Sequence, residues 1–371
     1  MRILFINLPY YGHVVPTIGL IQELVKRNCE VTYLLPYGWE ESIAESGATF
    51  QGYRDHKQLS EQIKNAYAKA ESIIEDYDLV IYEQFFFLGK HLAKRYHKPV
   101  VRIFTAPVAN QTLMEEYIQR GPLSIFQYKW IARAFTKDIA KNIPLQTDHW
   151  LDEILYNTPD LNLVYTLPQY QPYIEEYPKD QYIFLGPSIY PRKEERFTFT
   201  KTRPLLYIAL GTIVKGSAKF YQTCIQAFKK QDIDVILSVG NYPIHKLHNI
   251  PTNIHIYDHV PQLQVLQQAD VFITHGGMNS ISEALVASTP MVVIPFHSDQ
   301  PVNARCVEKL GVGKRLNYTG LQANVLRDTV YSVMEDMAIK ENMERVQEMI
   351  KVAPGNRGGA ECIIQYYEAK R

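Results

Sequence analysis

The sequence predicts an α/β protein made of two doubly wound, Rossmann-like domains with parallel sheets. Both halves of the 371-residue chain alternate short, uninterrupted apolar segments with amphipathic helical ones. This pattern is typical of parallel strands whose two faces are covered by helices. A segment rich in proline and charge separates the halves at residues 187–203. The length also suits two domains better than one.

The first half predicts a regular series of strands and helices, followed by a helical region. We expect strands at 3–7, 30–35, 79–82 and 100–104, and helices at 18–27, 60–75 and 89–96. Residues 108–165 are helix-rich and aromatic, and they fit either an ordinary helical core or the wall of a pocket for an apolar or planar molecule. The aromatic residues concerned are Tyr117, Phe126, Tyr128, Trp130, Phe135 and Trp150.

The second half restarts the pattern after the linker. We expect strands at 205–210, 234–239, 254–257, 271–274 and 291–294, and helices at 220–229 and 358–370. The predicted organisation is an N-terminal domain at 1–186, a linker at 187–203, a C-terminal domain at 204–355 and a terminal helical segment at 356–371. Ligands of doubly wound domains bind at the carboxyl ends of the strands.

Composition and charge narrow the class of protein. Lysine plus arginine and aspartate plus glutamate both total 39, so no net field favours nucleic acid, and membrane contact is possible but not favoured. No apolar run approaches the ~20 residues of a membrane-spanning helix, and the N-terminus reads as a strand rather than a signal peptide. The four cysteines are scattered without a C-x-x-C pair, which predicts reduced thiols and a cytoplasmic location.

A glycine turn at residues 275–285 is the most informative segment. An apolar strand leads into His275-Gly276-Gly277 and a helix leads out, which makes a candidate site for a nucleotide diphosphate. Asn279 and Glu283 share one helical face, so the carboxylate can hold ribose hydroxyls. A purely structural interpretation also fits, in which Ser280 and Glu283 form a capping box or Asn279 is the cap.

The segment from residue 260 to residue 313 resembles the donor signature of family 1 glycosyltransferases, and its best match is the bacterial macrolide branch. The resemblance rests on Val260-Pro261-Gln262, on the glycine turn with Glu283-Ala284-Leu285, and on an ordered series of prolines, glycines and polar residues that follows. It implies the GT-B fold, in which two Rossmann-like domains face each other across a cleft and a C-terminal helix crosses back onto the first domain.

The resemblance also implies a donor site for a UDP-sugar, and UDP-glucose is the expected donor. Residues matching His275 and Ser280 contact the diphosphate, the residue matching Glu283 binds ribose, and Asp299-Gln300 holds sugar hydroxyls. Two simpler explanations remain open: a βα turn at Gly211-Thr212, and a capped helix start before Pro301. The predicted donor site comprises Gly211, Thr212, His259, Val260, Gln262, His275, Gly277, Asn279, Ser280, Glu283, Asp299 and Gln300.

His259 stands where family members often place a larger aromatic ring on uracil, so the choice between uridine and thymidine stays open. A metal site at His255 and His259 is rejected, because residues 254–257 predict a strand and no third ligand is evident. No cofactor or metal is therefore expected.

His13 is the predicted catalytic base. It follows the first strand, at the carboxyl edge of the sheet, and the resemblance implies that this histidine takes the proton of the acceptor hydroxyl, a role for which imidazole is suited near neutral pH. Glu83 stands where the family commonly has the aspartate that orients the base. It is either that partner or a solvated residue at a strand end.

The sequence thus predicts an inverting, metal-independent glycosyltransferase that acts on a small hydrophobic hydroxyl compound of the phenol, flavonoid or macrolide type. Three alternatives remain: a lipid or cell-envelope glycosyltransferase of the same fold, a nucleotide-sugar epimerase, and a non-catalytic nucleotide-sugar-binding partner protein. The first of these is favoured by a stripe of basic residues with helical spacing, which comprises Lys129, Arg133, Lys137 and Lys141. A solvated helix face is the simpler explanation of the same stripe.

Overall fold

The computed structural model describes residues 1–119, 122–145, 147, 149–190, 195–211 and 218–371. The chain folds into two compact units. The first comprises Met1–Tyr190 and Ala353–Arg371, and the second comprises Pro191–Val352. In the described residues, no helix combines the length and the apolar character that crossing a membrane requires.

A seven-stranded parallel sheet organises the first unit, with strand order β3-β2-β1-β4-β5-β6-β7. Strands β2 and β3 lie on one side of β1, and β4 to β7 lie on the other. The strand order therefore reverses between β1 and β4. The strands are β1 (Arg2–Ile6), β2 (Glu30–Pro36), β3 (Thr49–Tyr53), β4 (Leu79–Glu83), β5 (Val100–Phe104), β6 (Leu161–Val164) and β7 (Tyr182–Phe184).

Helices cover both faces of this sheet, which explains why β1, β4 and β5 are almost wholly apolar. The helices are α1 (Tyr11–Lys26), α2 (Glu40–Ala44), α3 (Leu59–Glu71), α4 (Gly89–Arg95), α5 (Gln111–Gln119), α6 (Lys129–Ala140), α7 (Trp150–Leu155) and, from the end of the chain, α14 (Gly355–Lys370). Short 3-10 helices lie at Ile74–Asp76, Pro122–Gln127, Pro168–Tyr170 and Ile174–Glu176.

The first unit differs from the sequence prediction at the start of one helix and in several short elements. Helix α1 begins at Tyr11 rather than at residue 18, because the helix accommodates Gly12 and Pro16, two residue types that disfavour helix interiors. The prediction also missed helix α2 and the strands β3, β6 and β7, which have three to five residues each. Strands this short carry too few residues for an apolar period to stand out.

The aromatic residues of the helical region serve two purposes. Phe126, Phe135 and Trp150 pack edge to face or tilted, with ring centroids 5.0–5.6 Å apart. Trp150 is buried in the core cluster that also contains Phe87, and the partly buried Phe126 and Phe135 pack against that cluster. For these three, the interpretation as core is correct. Tyr128 and Trp130 are instead exposed, Trp130 to 71%.

The second unit holds a six-stranded parallel sheet with order β10-β9-β8-β11-β12-β13. Its strands are β8 (Leu205–Ala209), β9 (Asp234–Ser238), β10 (Ile254–Tyr257), β11 (Val271–Thr274), β12 (Met291–Val293) and β13 (Gly313–Arg315). Its helices are α8 (Ala218–Phe228), α9 (Gln262–Leu266), α10 (Met278–Val286), α11 (Gln300–Leu310), α12 (Ala323–Glu335) and α13 (Met337–Val352), with a 3-10 helix at Ile244–Lys246. The strand order again reverses between β8 and β11.

The C-terminal helix α14 belongs to the first unit and packs against α1. Ala360 and Ile363 are fully buried in the same core cluster as Leu20. Arg27 on α1 reaches Glu361 at 3.1 Å, although an ion pair this exposed contributes little. Apolar burial therefore fixes the end of the chain to the first unit.

Candidate functional site

The predicted site residues of the first unit lie where its strand order reverses. His13 is in the first turn of α1, which follows β1, and Glu83 is the last residue of β4. Since β1 and β4 are hydrogen-bonded parallel neighbours, their carboxyl ends meet at one edge of the sheet. The fold thereby brings together two side chains that are 70 residues apart in sequence.

His13 and Glu83 form a hydrogen-bonded pair, with Nδ1 of the imidazole 2.8 Å from Oε1 of the carboxylate. The Glu83 side chain is fully buried and that of His13 is 20% exposed. The interpretation of Glu83 as a solvated residue at a strand end is therefore wrong. Because a carboxylate only accepts, Nδ1 carries the hydrogen, and the lone pair that can take a proton lies on Nε2.

Two further groups, which the sequence analysis missed, hold the Glu83 carboxylate. The backbone N–H of Phe85 donates to Oε2 at 2.9 Å. The hydroxyl of Thr105, just after β5, donates to Oε1 at 3.1 Å and lies 2.8 Å from Nδ1 of His13. The sequence held one signal for Thr105: it is a polar residue directly after β5, the strand that pairs with β4.

Aromatic rings surround the imidazole. Phe85 packs edge-on against His13 with ring centroids 4.3 Å apart, and Tyr10 lies 6.1 Å from His13 and 5.6 Å from Phe85. Tyr10 is 38% exposed. The exposed part of Tyr10 therefore offers aromatic surface near the imidazole to an apolar or planar molecule.

In the second unit, the ring of His275 explains why residues 211 and 277 are glycines. The buried His275 follows β11, and its ring occupies the space where side chains of Gly211 and Gly277 would lie. A Cβ at Gly211 would come within 2.6 Å of the ring, and one at Gly277 within 2.5 Å. Gly211 also has a φ of +69°, which other residues rarely adopt. Both glycines thus allow the backbone to approach the imidazole closely.

His275 is neutral at physiological pH. Burial, with a smaller contribution from the nearby His297, lowers the pKa of its imidazole to about 4. Its Nδ1 is buried and has no hydrogen-bond partner among the described residues. A neutral imidazole offers one N–H donor instead of a positive charge, so this ring can donate a hydrogen bond to a ligand oxygen.

Helix α10 begins directly after the turn, with Gly277 in extended conformation as its N-cap. Both capping interpretations are wrong, because Ser280 and Asn279 lie inside the first helical turn. Its first N–H groups have no acceptor within the helix, and they carry the positive end of its dipole.

The Glu283 carboxylate takes part in a contact with α9 rather than in a cap. Gln262 Nε2 lies 2.7 Å from Oε2 of Glu283 and 3.3 Å from the hydroxyl of Ser280. Three predicted donor-site residues are thus joined directly, and each is buried or half-buried. Asn279 is half-buried on the same helix.

Asp299 and Gln300 begin α11, with Asp299 as N-cap and Pro301 second in the helix. The predicted side-chain cap is absent at Asp299. Its Oδ2 instead accepts from Asn303 Nδ2 at 2.8 Å, and the same amide reaches the Gly276 carbonyl at 3.0 Å. Gln300 Oε1 accepts from the backbone of Phe296 and His297. Asn303 therefore ties this pair to the glycine turn.

The remaining predicted donor residues are placed as follows. His259 is exposed and Val260 half-buried, in the segment between β10 and α9. Thr212 lies outside the described residues. In those that are described, no group of three or more histidine, cysteine or acidic side chains could hold a metal ion.

Comparison with known proteins identifies the family of the chain. Residues 222–361 match the family model of the erythromycin biosynthesis protein CIII-like C-terminal domain. Over their whole lengths, the chain is 30% identical to the uncharacterized UDP-glucosyltransferase YojK of Bacillus subtilis (strain 168), covering 100% of this chain and 98% of the relative. It is 31% identical to the NDP-glycosyltransferase YjiC of Bacillus licheniformis, covering 99% and 97%.

The fold has a close structural counterpart in the glycosyltransferase of kitacinnamycin. The two structures superpose with a TM-score of 0.85 at 25% sequence identity, over 99% of each chain. Two Rossmann-like domains with parallel sheets, together with this likeness, define the GT-B fold. The chain belongs to the family 1 glycosyltransferases, in the branch of the macrolide glycosyltransferases, and it is an enzyme of that class.

Proposed function

We propose that this enzyme transfers a hexose, with glucose as the expected sugar, from a UDP-sugar to a hydroxyl of a small hydrophobic acceptor, with inversion and without a metal ion or cofactor. The proposal rests on the pair of His13 and Glu83, in which Nδ1 of the imidazole lies 2.8 Å from Oε1 of the carboxylate. The UDP-glucosyltransferase name of the Bacillus subtilis relative supports the donor. Four free cysteines, three of them buried, fit a cytoplasmic location.

In the proposed reaction, the acceptor oxygen attacks the anomeric carbon as the bond to the diphosphate breaks. His13 Nε2 takes the acceptor proton, and the buried Glu83 carboxylate stabilises the imidazolium that forms. Attack on the face opposite the leaving group converts an α-linked donor to a β-glycoside. The start of α10 and the N–H of His275 supply hydrogen bonds to the departing UDP.

The apolar surroundings of His13 support a phenol, flavonoid or macrolide as acceptor. Tyr10 and Phe85 present aromatic surface within 4.3–6.1 Å of the imidazole centroid. Planar acceptors gain from edge-to-face contact with such rings, and a hydroxyl on their edge can then point to Nε2.

A screen of phenolic and macrolide acceptors, with UDP-glucose or TDP-glucose and with EDTA present, tests the proposal. We expect a mass gain of one hexose on at least one acceptor, a β-linkage in the product, and a preference for UDP-glucose. Turnover of the donor to another sugar nucleotide without acceptor would identify an epimerase instead. Nucleotide binding without any turnover would favour a non-catalytic partner protein.

Glu283 provides the test of the donor site. Glu283→Ala should raise the KM for UDP-glucose about 10- to 100-fold, since hydrogen bonds to a charged group contribute about 1.5–3 kcal/mol. Glu283→Gln, which keeps the shape of the side chain and an oxygen that can accept from Gln262 Nε2, should have the smaller effect. Isothermal titration calorimetry measures the affinity of both variants for UDP. Unchanged UDP affinity in Glu283→Ala would reject the ribose-binding role.

A membrane-associated lipid or cell-envelope glycosyltransferase is a second candidate, favoured by one helix face. Lys129, Arg133 and Lys137 are exposed on α6 beside the exposed Trp130 and Tyr128. Basic residues near an anionic membrane contribute roughly 1 kcal/mol each, and tryptophan suits the membrane interface. The zero net charge of the whole chain argues against general attraction, so any binding would depend on this face.

Flotation with vesicles decides between the two candidates. A membrane-associated enzyme would float with phosphatidylglycerol vesicles, and replacing the three basic residues of this α6 face by glutamine would abolish flotation. Replacing Lys229, Lys230 and Lys340 by glutamine is the matched control, since it removes three exposed charges elsewhere. For a small-molecule enzyme we expect no flotation.

A further inference from the structure

We propose that Thr105 is a positioning residue that holds His13 in the tautomer required of a general base; this rests on the proposed role of His13. Thr105 is 3% exposed. Its Oγ1 lies 3.1 Å from Glu83 Oε1 and 2.8 Å from His13 Nδ1, while Nδ1 and Oε1 are 2.8 Å apart. The three atoms form a triangle of hydrogen-bonding contacts.

Only one distribution of hydrogens satisfies all three sides of this triangle. The carboxylate oxygen can only accept, so the Thr105 hydroxyl and Nδ1–H both donate to it. The Thr105 hydrogen is then directed at Glu83, and the single Nδ1–H is shared between Oε1 and the Thr105 hydroxyl oxygen as a bifurcated hydrogen bond. The opposite tautomer, with hydrogen on Nε2, would leave Nδ1 and the carboxylate as two acceptors facing each other.

The Thr105 hydroxyl matters because the residue at position 83 is a glutamate. Glutamate has one more rotatable bond than aspartate, so its carboxylate needs more contacts to stay in one orientation. Thr105 fixes Oε1 from the segment just after β5, and the Phe85 N–H fixes Oε2 from the turn after β4. With both oxygens held, the carboxylate keeps the orientation that receives Nδ1–H.

Thr105→Val removes the hydroxyl at nearly constant volume. We expect it to lower kcat about tenfold, as for one lost hydrogen bond to a charged group, and to leave the KM for UDP-glucose unchanged. Thr105→Ser should restore kcat. In ¹⁵N NMR spectra, His13 should be the Nδ1–H tautomer in the wild type and a mixture of tautomers in Thr105→Val.

Thr166→Val is the matched control, because Thr166 is buried in the same unit and its hydroxyl has no hydrogen-bond partner among the described residues. It should leave kcat and the His13 tautomer unchanged. The proposal is overturned if Thr105→Val keeps the wild-type tautomer, or if it raises the donor KM and not kcat, which would make Thr105 a donor ligand. The NMR measurement needs no turnover, so it tests Thr105 even if the proposed transfer reaction fails.

Discussion

His13→Ala is expected to lower the kcat of glycosyl transfer by roughly 10²–10⁴-fold, the contribution of a positioned general base. Without the imidazole, the nitrogen that takes the acceptor proton is lost, and the buried Glu83 carboxylate no longer has a base to orient. UDP affinity should stay at the wild-type value, because the residues that we assign to the nucleotide belong to the second unit. Initial rates at saturating substrates and titration with UDP measure the two quantities.

His91→Ala is the matched control for this variant. His91 is a half-buried histidine on α4 of the same unit, and burial lowers the pKa of its imidazole. Its loss should alter thermal stability but not the rate of transfer. Equal turnover by His13→Ala and the wild type would refute the base assignment, whereas loss of UDP binding in His13→Ala would point to misfolding.

The strand, glycine turn and helix around His275 were predictable because their signals are local. An apolar run leads into the glycines, and amphipathic spacing follows them within a dozen residues. The need for glycine at position 211 was not predictable from nearby residues. It depends on the ring of His275, 64 positions further along the chain, which the pairing of β8 with β11 brings next to Gly211. A sequence pattern indicates that glycine is special there, but only the sheet order shows which side chain it accommodates.

The same distinction explains the catalytic pair and its third member. Both His13 and Glu83 follow predicted strands, and the family resemblance suggested their pairing. Thr105 is 92 positions from His13 and had no such guide, because its role depends on β5 lying next to β4. Helix α1 shows the opposite case. Gly12 and Pro16 disfavour a helix interior, yet the buried Val14 and Ile18 hold this segment in the helix through tertiary packing.

Glu83→Gln should lower kcat by roughly 10²–10⁴-fold, as expected when the buried carboxylate partner of a general base becomes an amide. The amide removes the charge that stabilises imidazolium. It can also donate its N–H to Nδ1, which would favour the tautomer with hydrogen on Nε2 and remove the proton-accepting lone pair from that nitrogen. Transfer kinetics and the ¹⁵N NMR tautomer of His13 measure these two effects separately.

Two further variants give this prediction its meaning. Glu153→Gln makes the same change at another buried carboxylate of the unit, which contacts Asn157, and it should retain transfer. Glu83→Asp keeps the charge but shortens the reach to Nδ1, so its kcat should lie between those of Glu83→Gln and the wild type. If Glu83→Gln and Glu153→Gln had equal kcat, the carboxylate at position 83 would serve the fold alone, and His13 would have to act without an orienting partner.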